Sequence, residues 1–158
     1  MKNNICFIFS LLIALSCSKG RNQEVVKSYI TAHNAHDIKK VLALYDKNVA
    51  FELKGVWVKE GLSEMQSLEV WDAALHSNLR LESTTSKEDS VFCRIVENND
   101  WFGAVGITNL VHDPTVFVVK NGKNKKNYCL PIAKNRGKNR SSHRGALSMV
   151  AESSGHHN

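Results

Sequence analysis

The sequence predicts an α+β protein, with helices packed on one face of an antiparallel sheet. Apolar residues recur at helical spacing in the first part of the chain, whereas segments with strand-like alternation follow one another in the second part. The predicted order is helix, helix, strand pair, helix and then a meander of strands. Long strands that follow the helices, without regular βα alternation, favour an α+β arrangement over a parallel α/β one.

Three amphipathic helices are predicted. Asp37 is expected to cap the second helix, and Ser63 with Gln66 forms a capping-box pattern at the start of the third. The first helix is expected to end near Asn34. The apolar stripes of the three helices are Val25, Val26, Tyr29, Ile30 and His33; Ile38, Val41, Leu42 and Tyr45; and Met65, Leu68, Trp71 and Leu75.

The predicted strands alternate or consist of short apolar runs between turn signals. A strand pair surrounds Gly55, with Val49, Phe51 and Leu53 before the turn and 56–58 after it. The later strands are predicted at 79–84, 91–97, 101–108 and 116–119. Hairpin turns are expected at 98–99, which is Asn-Asn, and at 121–122, which is Asn-Gly. Residues 123–130 are apolar only at their end, so the long last strand of a complete sheet is not predicted there.

The first sixteen residues have the features of a signal peptide. Lys2 is followed by an apolar run over 5–15 that is too short to span a bilayer permanently. The sequence Ala14-Leu15-Ser16-Cys17 resembles the lipobox of bacterial lipoproteins, in which the cysteine becomes the lipidated N-terminus. We therefore expect an exported lipoprotein, anchored to a membrane through Cys17 and facing the periplasm or the cell exterior.

The positive charge is concentrated at the C-terminal end. Residues 1–122 carry 13 Lys and Arg against 14 Asp and Glu, whereas 123–158 carry 8 against Glu152 alone. A neutral body argues against a nucleic-acid partner. Few large apolar residues occur after Pro131, so 131–158 is expected to be a basic, disordered tail; an altered reading frame would produce the same abrupt change. The expected organisation is signal peptide 1–16, lipidated linker 17–22, domain 23–130 and tail 131–158.

Two cysteines remain for the folded domain once the signal peptide and Cys17 are set aside. These are Cys93 and Cys129. An oxidising compartment permits a bond between them if their Cα atoms come within about 4.4–6.8 Å. Both a disulfide and two buried free thiols are compatible with the sequence.

Several segments resemble the SnoaL-like branch of the nuclear transport factor 2-like superfamily. They are 27–37 (Lys-Ser-Tyr-Ile-Thr-Ala-His-Asn-Ala-His-Asp), 41–46 (Val-Leu-Ala-Leu-Tyr-Asp), glycines before Trp57 and the third helix, and 100–107 (Asp-Trp-Phe-Gly-Ala-Val-Gly-Ile). The resemblance covers roughly 24–122. It implies a cone-shaped fold in which three helices and a curved sheet enclose a pocket. That superfamily contains ketosteroid isomerases, polyketide cyclases, dehydratases and ligand-binding proteins, so the fold alone leaves the function open.

The catalytic groups of the isomerases are largely missing at the matched positions. The resemblance places Tyr29 on the hydrogen-bonding tyrosine, Leu53 on the general base and Val105 on the second donor acid. Leucine and valine neither carry a proton nor stabilise negative charge. Isomerase chemistry of that kind is therefore not expected. Among the other carboxylates, Glu52 is expected to be a surface charge, and Glu97 and Asp100 to lie near the pocket mouth.

No other chemistry is indicated by a motif. His33 and His36 lie at a helix end without an obvious third metal ligand, and no cofactor-binding or nucleophile motif is present. We therefore predict no metal, no cofactor and no assigned catalytic residue. An apolar pocket with one polar group is how small-molecule sites are generally built. The residues expected to line it are Tyr29, Tyr45, Leu53, Trp57, Trp71, Trp101 and Val105.

Three functions are compatible with the sequence. The first is binding of a small apolar or amphipathic molecule in the cone without catalysis. The second is a protein-interaction role of the sheet face, including homodimer formation, which would require a continuous apolar outer face. The third is an unrecognised lyase, isomerase or hydrolase, which would require Tyr29 to lie beside an ionisable partner.

Overall fold

The computed structural model describes residues 20–129. The predictions for the signal peptide, Cys17 and the 131–158 tail fall outside this range. No helix within 20–129 is long and apolar enough to span a membrane. The elements are α1 (20–34), α2 (Ile38–Leu44), β1 (Tyr45–Leu53), β2 (Trp57–Glu60), α3 (Gly61–Ala74), β3 (Asn78–Lys87), β4 (Ser90–Asn98), α4 (Asp100–Ala104), β5 (Leu110–Lys120) and β6 (Lys123–Cys129).

The six strands form one curved sheet on which the helices pack, which confirms the predicted α+β class. The strand order is β2-β1-β6-β5-β4-β3. All ladders are antiparallel except the one between β1 and β6, which is parallel. The sheet is therefore mixed rather than wholly antiparallel, because the last strand returns beside the first one in the same direction.

Two apolar clusters hold the helices against the sheet. Val26 and Ile30 of α1 pack with inward side chains of β4 and β5, whereas Val41 and Met65 pack with the start of β1. Tyr29 packs against both clusters. The first helix therefore lies across the inner face of the sheet, and its tyrosine is placed between the two halves of the core.

Several local signals act as the sequence predicts. The Asp37 side chain accepts a hydrogen bond from the Lys40 backbone N–H at 3.0 Å and so caps α2. Asn121 and Gly122 both have positive φ, as a two-residue hairpin turn between β5 and β6 requires. The third helix begins at Gly61, two residues before the expected cap, so Ser63 lies inside its first turn.

The prediction of a strand over 101–108, with a hairpin turn at 98–99, is wrong. The Asn99 side chain accepts a hydrogen bond from the Phe102 backbone N–H at 2.8 Å, and this cap begins the short helix α4. Gly106, with φ of +79°, follows the helix end. The aromatic and β-branched residues that suggested a strand are thus part of a capped helical turn and the loop after it.

The last strand forms although its sequence lacks an alternating apolar pattern. The seven residues of β6 pair with both β1 and β5 and occupy the middle of the sheet. Asn124, Asn127 and Cys129 are buried on this strand. Backbone hydrogen bonds to two neighbouring strands are available to any residue except proline, so position in the sheet outweighs the weak strand pattern.

Candidate functional site

The helices and the sheet enclose an apolar cavity of about 190 Å³. Six of the seven residues expected at the pocket line it; Val105 does not. They are Tyr29, Tyr45, Leu53, Trp57, Trp71 and Trp101. Trp71 is at the edge of the cavity, because it is also 42% exposed.

The placement of Val105 at the pocket is wrong. Val105 follows α4 and is 39% exposed. Its expected position depended on a strand over 101–108, and the helical turn present there directs the segment differently. Leu53, in contrast, lines the cavity, so the position matched to the general base is apolar in the structure as well.

A polar cluster centred on Glu69 lies within this apolar cavity. The carboxylate Oε1 of Glu69 accepts hydrogen bonds from the hydroxyl of Tyr45 at 3.2 Å and of Tyr29 at 3.5 Å. Its Oε2 lies 3.0 Å from Nδ1 of His33. Glu69 and His33 are 6% and 3% exposed. The two tyrosines and the histidine are the groups that allow a carboxylate to be buried here.

The cluster continues through a serine to a second carboxylate. Nε2 of His33 lies 3.4 Å from Oγ of Ser77, and that hydroxyl donates to Oε1 of Glu97 at 3.0 Å. Because the serine hydrogen is used on Glu97, the serine oxygen accepts from an Nε2–H of His33. The Nδ1 of His33 faces Glu69, so both ring nitrogens face acceptors and the protonated ring fits this site.

Glu97 is held by three side chains. Asn99 donates to its Oε1 at 2.9 Å, as Ser77 does, and Nε2 of His112 lies 2.9 Å from its Oε2. Burial raises the pKa of Glu97, but the hydrogen bond and charge of His112 outweigh burial and hold that pKa below its usual range. Glu97 is therefore an ionised carboxylate inside the cavity.

The remaining carboxyl of the cluster belongs to Asp72. Burial raises the pKa of Asp72 to about 8, and the nearby charges of Glu97 and Glu69 act in the same direction. The Asp72 side chain lines the cavity and makes no hydrogen bond within residues 20–129. At neutral pH it is a neutral acid, which can donate a proton or a hydrogen bond to a molecule in the cavity.

The histidines and tyrosines respond to the same carboxylates. Burial lowers the pKa of His33, but the hydrogen bond and charge of Glu69 raise it above its ordinary value. The pKa values of Tyr29 and Tyr45 are raised well above the ordinary value, first by burial and then by the charge of Glu69. Both tyrosines therefore remain protonated hydrogen-bond donors at any physiological pH.

Ligand atoms of His33, Glu69 and Asp72 lie within 4.8 Å of one another. The sequence gave no sign of this group because the expected partner of His33 was His36, whose side chain lies outside it. The signal that was available is the position of Glu69 and Asp72 on α3. They follow Met65 by four and seven residues, so they lie on the same inward helix face.

Other polar residues lie where the sequence predicted or pair differently. Glu52 binds Lys54 and Lys126 at the sheet surface, as expected of a surface charge. Asp100 is exposed and pairs with His76 rather than with the cavity. Cys93 and Cys129 are free thiols. Both face Thr115 from opposite sides of β5, so two strand spacings of about 4.8 Å separate them, which is too far for a disulfide.

Comparison with known proteins supports the fold alone. No family model and no curated protein matches the sequence. An LEH-like epoxide hydrolase from Mycobacterium tuberculosis has a TM-score of 0.63 at 13% identity, over 85% of this chain and 98% of its own. An NTF2-like protein of unknown function from Cytophaga hutchinsonii has a TM-score of 0.57 at 10% identity, over 68% and 87%.

A third similar structure contains a ligand. It is RV0760c from Mycobacterium tuberculosis in complex with estradiol-17beta-hemisuccinate, with a TM-score of 0.57 at 18% identity over 69% of this chain and 92% of its own. The helices, the curved sheet and these neighbours define a domain with the nuclear transport factor 2-like cone fold. Its cone contains a polar cluster of carboxyl, imidazole and phenol groups.

Proposed function

We propose that this domain binds a small, largely apolar molecule that carries a neutral oxygen group. The observation that carries the proposal is the apolar cavity with hydrogen-bonding groups gathered inside it. Apolar walls supply affinity by removing apolar surface from water, and a few placed polar groups fix the orientation of a ligand. The steroid derivative bound by RV0760c is a precedent for this use of the fold.

The size of the cavity limits the apolar part of the ligand. Its volume is about 190 Å³. A closed apolar cavity of about 150 Å³ is enough for benzene. We therefore infer a ligand with one or two rings, or an aliphatic group of similar size, rather than a long chain.

The charges of the cluster favour a neutral polar group over an anion. Glu69 and Glu97 already face the two histidines, so neither imidazole is free to neutralise a ligand carboxylate. Two groups remain available. Tyr29 is held by a long 3.5 Å hydrogen bond that a ligand oxygen can replace, and Asp72 is a free donor while it is neutral. A ketone or hydroxyl oxygen fits both.

A matched pair of probes tests this proposal. We expect 2-naphthol to bind the purified protein roughly tenfold more tightly than 2-naphthoate at pH 7, because the anion would be buried near carboxylates without a free cation. All three tryptophans of the chain line the cavity, so their fluorescence reports occupancy, and calorimetry gives the affinity. Equal binding of both probes, or no binding of either, would contradict the proposal.

A pair of leucine variants on α3 controls for the site of binding. Leu68 lines the cavity, whereas Leu62 is on the exposed side of the same helix. Leu68→Phe should weaken 2-naphthol binding by filling the cavity, and Leu62→Phe should leave it unchanged. The same loss in both variants would show that the probe binds elsewhere.

Acid–base catalysis is a second candidate, favoured by the position of Tyr29 beside Glu69. Such an ionisable partner is what the enzyme alternative required. The neutral Asp72 and the ionised Glu97 supply an acid and a base within one cavity, as a hydrolase or lyase would need. Hydrolysis of cyclohexene oxide, abolished by Asp72→Asn and retained by the surface variant Asp100→Asn, would replace simple binding as the function.

The interaction alternative has weaker support. Phe92, Val116 and Tyr128 are in register on the side of the sheet that faces away from the cavity. Val116 is only 1% exposed, however, so this row is not an open apolar surface. Ion pairs of Arg94 and Lys126 flank it. The cavity therefore remains the favoured site.

We also infer that the domain is held at a membrane surface outside the cytoplasm. The support is the signal-like start of the chain and the sequence Ala14-Leu15-Ser16-Cys17. A lipid on Cys17 followed by a short polar linker would keep the cavity close to the bilayer, where apolar molecules concentrate.

A further inference from the structure

A thiol, an imidazole and a carboxylate meet at the end of β6. Cys129 is 6% exposed, lines the cavity and has its Sγ 3.5 Å from the hydroxyl of Thr115. It is the last residue of β6, and β5 contributes both Thr115 and His112 to the same cavity. The thiol is therefore accessible to a molecule in the cone although it is hidden from bulk solvent.

His112 is the group that can act as a base for this thiol. Its Nε2 is fixed by Glu97, which leaves Nδ1 for a second partner. That nitrogen is buried and, apart from the neighbouring Cys129 thiol, meets no partner within residues 20–129. Burial lowers the pKa of His112, but hydrogen bonding with Cys129 and Glu97 and the charge of Glu97 raise it to about 10.

Glu97 orients the ring and stabilises its positive charge. Ser77 and Asn99 hold Oε1 of Glu97, so Oε2 is presented to His112 in a fixed direction. A nucleophile, a base and a group that orients the base form the arrangement by which proteins activate weak nucleophiles. Glu97 is a positioning residue in this arrangement, because it acts on Cys129 only through His112.

We propose that Cys129 is a nucleophile activated by His112 and that it captures small, largely apolar α,β-unsaturated carbonyl compounds in the cone. The thiol proton passes to His112, and the sulfur forms a bond to the β-carbon of the double bond. The π electrons move toward the carbonyl group as the enolate forms, and the α-carbon then takes the proton from His112. One S–C bond and one C–H bond form, so no oxidant, reductant or leaving group is needed.

This inference uses the cavity of the proposed function but does not require reversible ligand binding. N-ethylmaleimide is the probe, since it is a small apolar molecule with an activated double bond. The purified full chain is treated with it at pH 7, and peptide mass spectrometry gives a separate rate for each cysteine. Cys93 is the internal control, because it is buried in the core cluster under α1, and burial raises its pKa to about 12.

We expect Cys129 to react at least roughly tenfold faster than Cys93, and His112→Gln to slow Cys129 by about tenfold or more without changing Cys93. The variant His76→Gln makes the same substitution in an exposed histidine–carboxylate pair and should leave both rates unchanged. Glu97→Gln should also slow Cys129. Since Cys93 reports any loosening of the core, a slower Cys129 with an unchanged Cys93 separates activation from a loss of folding.

Two results would overturn the inference. One is a Cys129 rate no greater than that of Cys93 in the unchanged protein, a comparison that needs no variant to fold. The other is a fast Cys129 that His112→Gln and Glu97→Gln both leave unaffected, which would make it merely accessible. Binding of 2-naphthol to Cys129→Ser tests the reversible site separately, so each proposal can fail without the other.

Discussion

The Nδ1 of His33 and the Oε2 of Glu69 lie 3.0 Å apart and join the end of α1 to the middle of α3 inside the core. The two residues are separated by 36 positions in the sequence. A buried ion pair adds little stability compared with a well-packed apolar pair, but removing one partner leaves an unpaired buried charge. This contact is therefore better explained as a device that places polar groups in the cavity than as a source of stability.

Removing the carboxylate should be costly. We expect Glu69→Ala to lower the free energy of unfolding by about 3–5 kcal/mol, because His33 would be left as a buried charge and both tyrosines would lose an acceptor. Urea denaturation measures this loss. Glu64→Ala on the same helix removes a partly exposed pair with Lys59 and should cost less than about 1 kcal/mol. Similar losses in the two variants would mean that Glu69 is not buried as described.

Asp72 should make the protein less stable as pH rises. Its pKa is about 8 in the folded protein against 3.8 as the ordinary value, so the folded state binds more protons between these values and stability falls with rising pH across that window. Asp72→Asn should stabilise the protein by about 1–3 kcal/mol at pH 8.5 and have little effect at pH 4. Thermal melts at both pH values check this. An equal effect at both would exclude titration of Asp72 as the cause.

Tyr29→Phe separates packing from ligand binding. The Tyr29 hydroxyl makes one long hydrogen bond, so its removal should cost about 0.5–1.5 kcal/mol of stability. If Tyr29 also meets the ligand, the same variant should lose affinity for 2-naphthol. Tyr45→Phe is the control, because Tyr45 is buried and donates to the same carboxylate at 3.2 Å. Unchanged affinity in Tyr29→Phe would assign Tyr29 to packing alone.

Deletion of 131–158 should leave the domain folded. The last strand, β6, ends at Cys129, and the deleted residues contain no periodic apolar face in their sequence. Thermal melts of the full and shortened chains should agree within a few degrees. Loss of a cooperative transition on deletion would show that the segment contributes to the core.

Cys17 should determine whether the protein stays with the membrane. In a bacterial host, the protein is expected in the detergent-soluble membrane fraction with the mass of a lipidated, cleaved chain. Cys17→Ser should move it out of that fraction or leave an uncleaved precursor. The same fractionation and mass for both chains would disprove lipidation.

The sequence by itself determined the helices, most of the strands and the apolar walls of the cone. These follow from local periodicity, from the cap at Asp37 and from the turn at 121–122, which act over a few residues. The segment 101–108 was misjudged because its residue types favour a strand, whereas one side-chain cap at Asn99 favours a helical turn. Position in the sheet, rather than pattern, explains why β6 forms.

Only the tertiary structure decided which polar groups meet. Glu69 and Asp72 are ordinary acidic residues in the sequence, and His112 is an isolated histidine. Their pKa values and partners depend on contacts between α1, α3, β4 and β5, which are far apart along the chain. Burial in an apolar cavity turns such contacts into strong effects, because water no longer screens the charges. The chemistry of the cone is therefore a property of the folded chain.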